Sequence, residues 1–174
     1  DRHDVVRHRE RILQRARELN YTPSLTARGL ATSQTFSIGF FVREKPGLPA
    51  KTDPFYGEIL HGVEQFCAQT DYHVTIATLT EAILAKPADF RFVRERRIDG
   101  MILAGPDIPN DFILAMLQTG MPLVLVDNRL DYSPVNCVNS DDEQGAYLAA
   151  SHLMACGHQR IGIGHCEPAG REAR

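Results

Sequence analysis

From Phe36 onward, short apolar runs alternate with longer segments in which apolar residues recur every three or four positions. FSIGFFV (36–42), HVTIATL (73–79), GMILAG (100–105) and PLVLVDN (122–128) have the length and composition of buried strands. VNCVN (135–139) and RIGIG (160–164) are shorter candidates. Between them, YGEILHGVEQFCAQ (56–69) sets Ile59, Leu60, Val63, Phe66 and Cys67 on one helical face. Residues 82–96 read as helix with a break or start at Pro87. NDFILAMLQTG (110–120) reads as a helix stopped by Gly120, and EQGAYLAASHLMACG (143–157) as an amphipathic helix closed by Gly157. Strand–helix alternation of this kind predicts an α/β fold, with a parallel sheet covered on both faces. Ligands of such sheets bind beyond the carboxyl ends of the strands. That places the candidate chemistry in TDPFY (52–56), AGPD (104–107), VDNR (126–129) and HCEPAGREAR (165–174). The connection REKPGLPAKTDP (43–54) is long for a strand-to-helix loop, which marks it as functional or mobile.

The first 35 residues follow another pattern. RHRERILQRAREL (7–19) carries Ile12, Leu13, Ala16 and Leu19 on one face of a helix that Pro23 should end. SLTARGLAT (24–32) is a weak, polar, helix-like piece set directly before the first core strand. A helix of that length is marginal alone, and Gly29 weakens it by about 1 kcal/mol relative to Ala. Such a piece is expected to order only when something binds it. Charge sharpens the picture. Residues 1–35 hold seven Arg against Asp1, Asp4, Glu10 and Glu18, a net of +3; the other twelve basic and eighteen acidic residues give −6. A basic end on an acidic body fits a polyanionic partner, although charge alone equally fits a solvated helix face.

Composition excludes several classes. With 174 residues, 43% apolar and 24% charged, the chain matches one compact domain with a small appendage. No apolar window is long enough for a membrane span, and no basic-plus-apolar leader is visible, so neither membrane insertion nor export is expected. Cys67, Cys137, Cys156 and Cys166 show no CxxC spacing and suit free thiols in a reducing compartment. Cys156, His158, His165 and Cys166 lack the paired spacing of a zinc site. No phosphate loop and no nucleophile elbow follows a strand, and Asp107, Asp127, Asp141 and Asp142 form no recognisable acid–base pair. The expectation is therefore a protein that is not an enzyme and carries no cofactor. The crevice reads instead as a binding site. Phe55 and Tyr56 can stack on a flat or sugar-like ligand, Tyr56 being the one expected to be exposed. Phe55 serves equally as an anchor for the following helix. Asp127 and Arg129 can hydrogen-bond hydroxyl groups.

RERILQRARELNYTPSLTARGLATSQTFSIGFFV (9–42) resembles the lactose-repressor (LacI/GalR) family of bacterial transcription regulators. DPFYGEILHGVE, RRIDGMIL, MPLVLVDN, HLMACGHQRIGIG and REAR follow in the family's order and cover nearly the whole chain. The resemblance implies a cytoplasmic, effector-responsive regulator, a repressor, that binds operator DNA as a homodimer. The effector is a small ligand, a sugar being the commonest in the family. Residues 1–22 would be the third helix of a partial helix-turn-helix head, 23–35 the hinge helix, and 36–174 the N-terminal subdomain of a type I periplasmic-binding-protein-like body. The two earlier head helices and the second subdomain would lie outside this sequence. Ser24, as N-cap, with Thr26, Arg28 and Leu30, would meet DNA. Leu30 falls on the family's hinge leucine, which wedges into the minor groove. Phe55, Tyr56, Asp107, Asp127, Arg129 and Arg174 would meet the effector. Arg174 falls on the family's effector-gripping arginine, with Arg171 as an alternative, and both read equally as solvated arginines near a chain end. Helix 56–69 would line the dimer interface as well as pack on the core. Asn139 stands where many members carry Asp, and loop 43–54 is longer than usual. His158 reads as a loop residue. The alternative is a solute-binding protein of the same body fold, used in transport or chemotaxis, which would leave the basic segment 1–35 without a role. A doubly wound enzyme is a third reading.

Overall fold

The computed structural model describes residues 2–21, 24–43, 54–130 and 133–164, with the side chains of 2–5, 25–27 and 30 left aside. The chain divides into two units between Phe36 and Ser37.

In the first unit, α1 spans Arg2–Glu18. It stops before Pro23 because Asn20 takes a left-handed conformation (φ 50°). Tyr21 N–H then donates to the Ala16 carbonyl (2.8 Å) and Asn20 N–H to that of Arg17 (3.1 Å), which satisfies the last turn. The expected apolar stripe is present, with Ile12, Leu13 and Leu19 exposed and Ala16 half-buried. Helix α2 spans Leu25–Thr32. Ser24 occupies the N-cap position in extended conformation, but its hydroxyl makes no cap hydrogen bond; its carbonyl accepts Arg28 N–H (3.0 Å). After Ser33, at φ 56°, the chain turns back on the helix. The turn is close enough that a Cβ on Gly29 would lie 2.6 Å from the Gln34 carbonyl oxygen. The Arg28 guanidinium sits 4.5 Å above the centre of the Phe36 ring, a cation–π distance. Phe36 has φ 54° and is not part of the strand it was expected to open.

The second unit is built on a five-stranded sheet in the order β2-β1-β3-β4-β5. The strands are β1 Ser37–Arg43, β2 His73–Leu79, β3 Gly100–Ala104, β4 Leu123–Val126 and β5 Asn136–Val138. All four pairings are parallel. Phe41, Leu79, Met101, Leu103, Leu123 and Leu125 point to one face. There they meet Leu84 of α4 (Glu81–Leu84) and Phe112, Ile113 and Met116 of α6 (Asn110–Gln118). Phe41 makes edge-on contacts with Phe90 (5.0 Å) and Phe92 (5.1 Å). Burying each such side chain contributes about 1.5–3 kcal/mol. The opposite face, with Phe40, Val42, Ala104 and Val126, is covered by α3 (Pro54–Cys67) through Tyr56, Ile59, Leu60 and Val63.

The break expected at Pro87 within residues 82–96 is present. Pro87 opens a 3-10 turn (Pro87–Asp89) that separates α4 from α5 (Arg91–Arg94), because proline cannot continue a helix but fits its first turn. The structure corrects several expectations. Phe66 was expected on the core face of α3 and is 69% exposed. Helix α7 spans Asp142–Ala155 and is capped by Asp141, whose carboxylate accepts Gln144 N–H (3.0 Å). It buries none of its residues. The run AYLAA (146–150) distributes apolar groups around the helix rather than along one face. Residues 160–164 form no strand. No described strand pairs with them, and Ile163 is 94% exposed. None of the described helices is long and apolar enough to cross a membrane.

Two glycines give opposite outcomes from what propensity suggests. Gly39→Ala in β1 would overlap the fixed Phe41 ring. A urea midpoint should report a loss of about 1–3 kcal/mol, where strand propensity alone predicts a gain. Gly29→Ala should gain about 1 kcal/mol as a helix substitution, but the Gln34 carbonyl blocks the new methyl. Amide hydrogen exchange over 28–34 should therefore become faster, and slower exchange would contradict the fold-back.

Candidate effector crevice

In the parallel register, Val42, Ala104 and Val126 end side by side. The residues that follow them share one edge of the sheet. α3 begins at Pro54, so Phe55 and Tyr56 lie in its first turn rather than in a loop.

Tyr56 is buried (7% exposed) and Phe55 is half exposed (50%), the reverse of the expected arrangement. The Tyr56 ring packs with Phe40, Val42, Ala104 and Val126. A phenol can be buried when its oxygen finds a partner, and here the Tyr56 hydroxyl donates to Asp127 Oδ2 (2.9 Å). Phe55 meets the Tyr56 ring edge-on, with centroids 5.2 Å apart. Tyr56 also walls an apolar groove of about 260 Å³ beside β1 and β2, together with Leu60 and Ile76.

Asp127 leaves β4 at φ 52°, and its N–H donates to the Val138 carbonyl (3.0 Å). A non-glycine residue in this region costs on the order of 1 kcal/mol and persists only where its surroundings impose it. Gly105 leaves β3 at φ 117°, and a Cβ there would come within 3.1 Å of the Tyr56 oxygen. Glycine is thus required twice, by conformation and by space. Asn128 is buried and ties the rim together. Its side-chain N–H donates to the Gly105 carbonyl (2.8 Å), and its side-chain oxygen accepts Arg129 N–H (2.8 Å). Its backbone N–H donates to Asn139 Oδ1 (3.0 Å).

Asp107 is placed by Arg43, whose guanidinium donates to the Asp107 carbonyl. The same guanidinium makes two bonds to Glu81 Oε1 (3.1 and 2.7 Å). The positive charge of Arg43 is thereby engaged. The structure brings Phe55, Tyr56 and Asp127 together and seats Asp107 at the same strand edge. Arg129 is exposed and anchored through its backbone. Arg171, Arg174, His165, Cys166 and loop residues 44–53 lie outside the described residues, and His158 is exposed after α7. Among the DNA candidates, Ser24 precedes α2 and Arg28 stacks on Phe36. Thr26 and Leu30 have helical backbones, and their side chains lie outside what is described. Among the described residues, two groups away from this edge have shifted pKa values. Arg91 and then Arg97 hydrogen-bond to Glu95 and lower its carboxyl to about 2, while desolvation, then Asp99, raises the Tyr72 phenol.

Sequence reasoning missed Gly105, Asn128, Asn139 and Arg43 as parts of the rim. The available signal was the Asn directly after the strand-end Asp in VDN, since a buried amide there must satisfy itself on neighbouring strand ends.

Residues 35–171 match the family described as periplasmic binding proteins and sugar binding domain of LacI family. A curated relative, the HTH-type transcriptional repressor PurR of Photobacterium profundum, is 33% identical over 162 residues, 91% of this chain and 46% of its own. The chain thus spans about half the length of the curated relatives it matches. A lac repressor dimer bound to operator and the anti-inducer ONPF has the same fold, with TM-score 0.65 at 23% identity over 87% of this chain and 44% of that one. A LacI family regulator from Enterococcus faecium, with bound ribose, gives TM-score 0.53 at 25% identity over 71% of this chain and 42% of its own. With its parallel sheet and the match running through almost all of its second unit, the chain belongs to the LacI family of periplasmic-binding-protein-like sugar-binding domains.

Proposed function

We propose that this chain is part of an effector-responsive transcriptional repressor that binds operator DNA as a homodimer in the cytoplasm. The observation that carries this reading is the reach of the PurR alignment. Its 162 residues exceed the 138 of the second unit, Ser37–Arg174, so it extends into the N-terminal unit. That unit is the basic one. The same reach favours a regulator over a transport or chemotaxis protein built on the same body, for which α1 and α2 would be superfluous. The relatives are transcriptional repressors, and catalysis has no place in the reading.

In this reading, α1 belongs to the DNA-binding head and α2 is the hinge. Ser24, Thr26 and Arg28 contact the backbone of the operator, and Leu30 enters its minor groove. Phe55 offers its exposed ring to a sugar-like effector. Asp107, Asp127, Arg129 and Arg174 supply polar contacts to it. The exposed side of α3, including Phe66, is the surface for the second copy. Phe36 and Ser37 are consecutive residues, so a ligand-driven change in the body reaches α2 through the chain itself.

The full-length dimer should bind its palindromic operator with a steep inverse dependence on salt. Leu30→Ala should weaken operator binding at least tenfold, read by fluorescence anisotropy, while effector affinity stays within about twofold, consistent with a few kcal/mol spent on unstacking at the kink. Unchanged operator affinity would remove the wedge from this reading.

A further inference from the structure

The crevice contains a buried tyrosine whose chemistry packing alone does not require. We propose that Tyr56 is a positioning residue for Asp127: its hydroxyl fixes that carboxylate at the crevice mouth, so that Asp127 Oδ1 accepts a hydrogen bond from the effector. This inference rests on the effector-crevice reading above and assigns Tyr56 a role other than stacking on the ligand.

Three observations converge on it. First, the Tyr56 ring is held by Phe40, Val42, Ala104 and Val126, so burial determines where its oxygen lies. That oxygen is 2.9 Å from Asp127 Oδ2. Phenylalanine would fill the same apolar volume, and the hydroxyl adds a polar contact at the strand edge. Second, the space for the hydroxyl is kept clear. Gly105 stands behind it at φ 117°, a Cβ would intrude to 3.1 Å, and Asn128 pins the Gly105 carbonyl. Third, Asp127 is held in a left-handed conformation by its own N–H bond to Val138. Strain is retained where a side chain must be aimed. With Oδ2 engaged by the phenol, the carboxylate has one oxygen to present, and it acts purely as an acceptor. A ligand that meets it must donate, as a sugar hydroxyl or a ring N–H does. The half-buried Arg43 of the rim is engaged with Glu81 and the Asp107 carbonyl.

The test uses the full-length protein. Ribose, glucose, sucrose, adenine and guanine are titrated by calorimetry into wild type, Tyr56→Phe, Asp127→Asn and the double variant. Whichever of the five binds wild type best is the probe. Tyr56→Phe should weaken that probe about tenfold with the melting temperature nearly unchanged. Asp127→Asn should weaken it at least as much, and the double variant should bind like Asp127→Asn alone. That non-additivity marks a residue acting through another, and a merely structural tyrosine would not produce it. Wild-type affinity in Tyr56→Phe, or losses that simply add in the double variant, would overturn the positioning role; a loss confined to Asp127→Asn would leave the effector reading standing. If wild type binds none of the five, the effector reading falls, and the inference falls with it.

Discussion

The parallel ladder from β2 to β5 is the constraint on which the other features depend. Four parallel pairings in register bring Val42, Ala104 and Val126 to a common edge, and they oblige the chain to cover both faces with helices. One face is sealed by α4, α5 and α6 around Phe41 and Phe112; the other is covered by α3 through Tyr56, Leu60 and Val63. Because α3 packs by its first turn, the residue that seals the second face also reaches the strand edge. Tyr56 therefore belongs at once to the core and to the crevice, and the hydrogen bonds of Asp127, Gly105, Asn128 and Asn139 extend from that point across β3, β4 and β5.

Much of this was legible in the sequence, and the parts that were not share a physical cause. The core strands and α3 and α6 declared themselves through apolar runs and helical periodicity, since both patterns are set by burial. The candidate crevice follows from the rule that ligands of such sheets lie beyond the strand ends. Exposure within it was read wrongly. The sequence marks Phe55 and Tyr56 as adjacent aromatics, but which one turns inward depends on the Asp127 carboxylate 71 positions later. Gly105 and Asn128 were invisible as a pair for the same reason. RIGIG has the composition of a strand, yet a strand needs a neighbour to pair with, and none of the described strands pairs with it. EQGAYLAASHLMACG (143–157) reads as amphipathic, although its five consecutive residues AYLAA (146–150) encircle the helix.

The two units divide the proposed work along charge. The first is rich in arginine, and its short helix α2 is followed by a return turn that leaves no room for a Cβ at position 29. The second is acidic and carries a rim of fixed acceptors. In the proposed regulator, effector and operator meet different units of one chain, joined at Phe36 and Ser37, and each influences the binding of the other.

That dependence is reciprocal by thermodynamic necessity. The most direct measurement titrates operator DNA into the full-length dimer with and without saturating effector, and effector with and without saturating operator. The account predicts that the effector changes operator affinity by a factor clearly different from one, and that operator changes effector affinity by the same factor. Equal operator affinities in the two conditions, with the effector demonstrably bound, would contradict it.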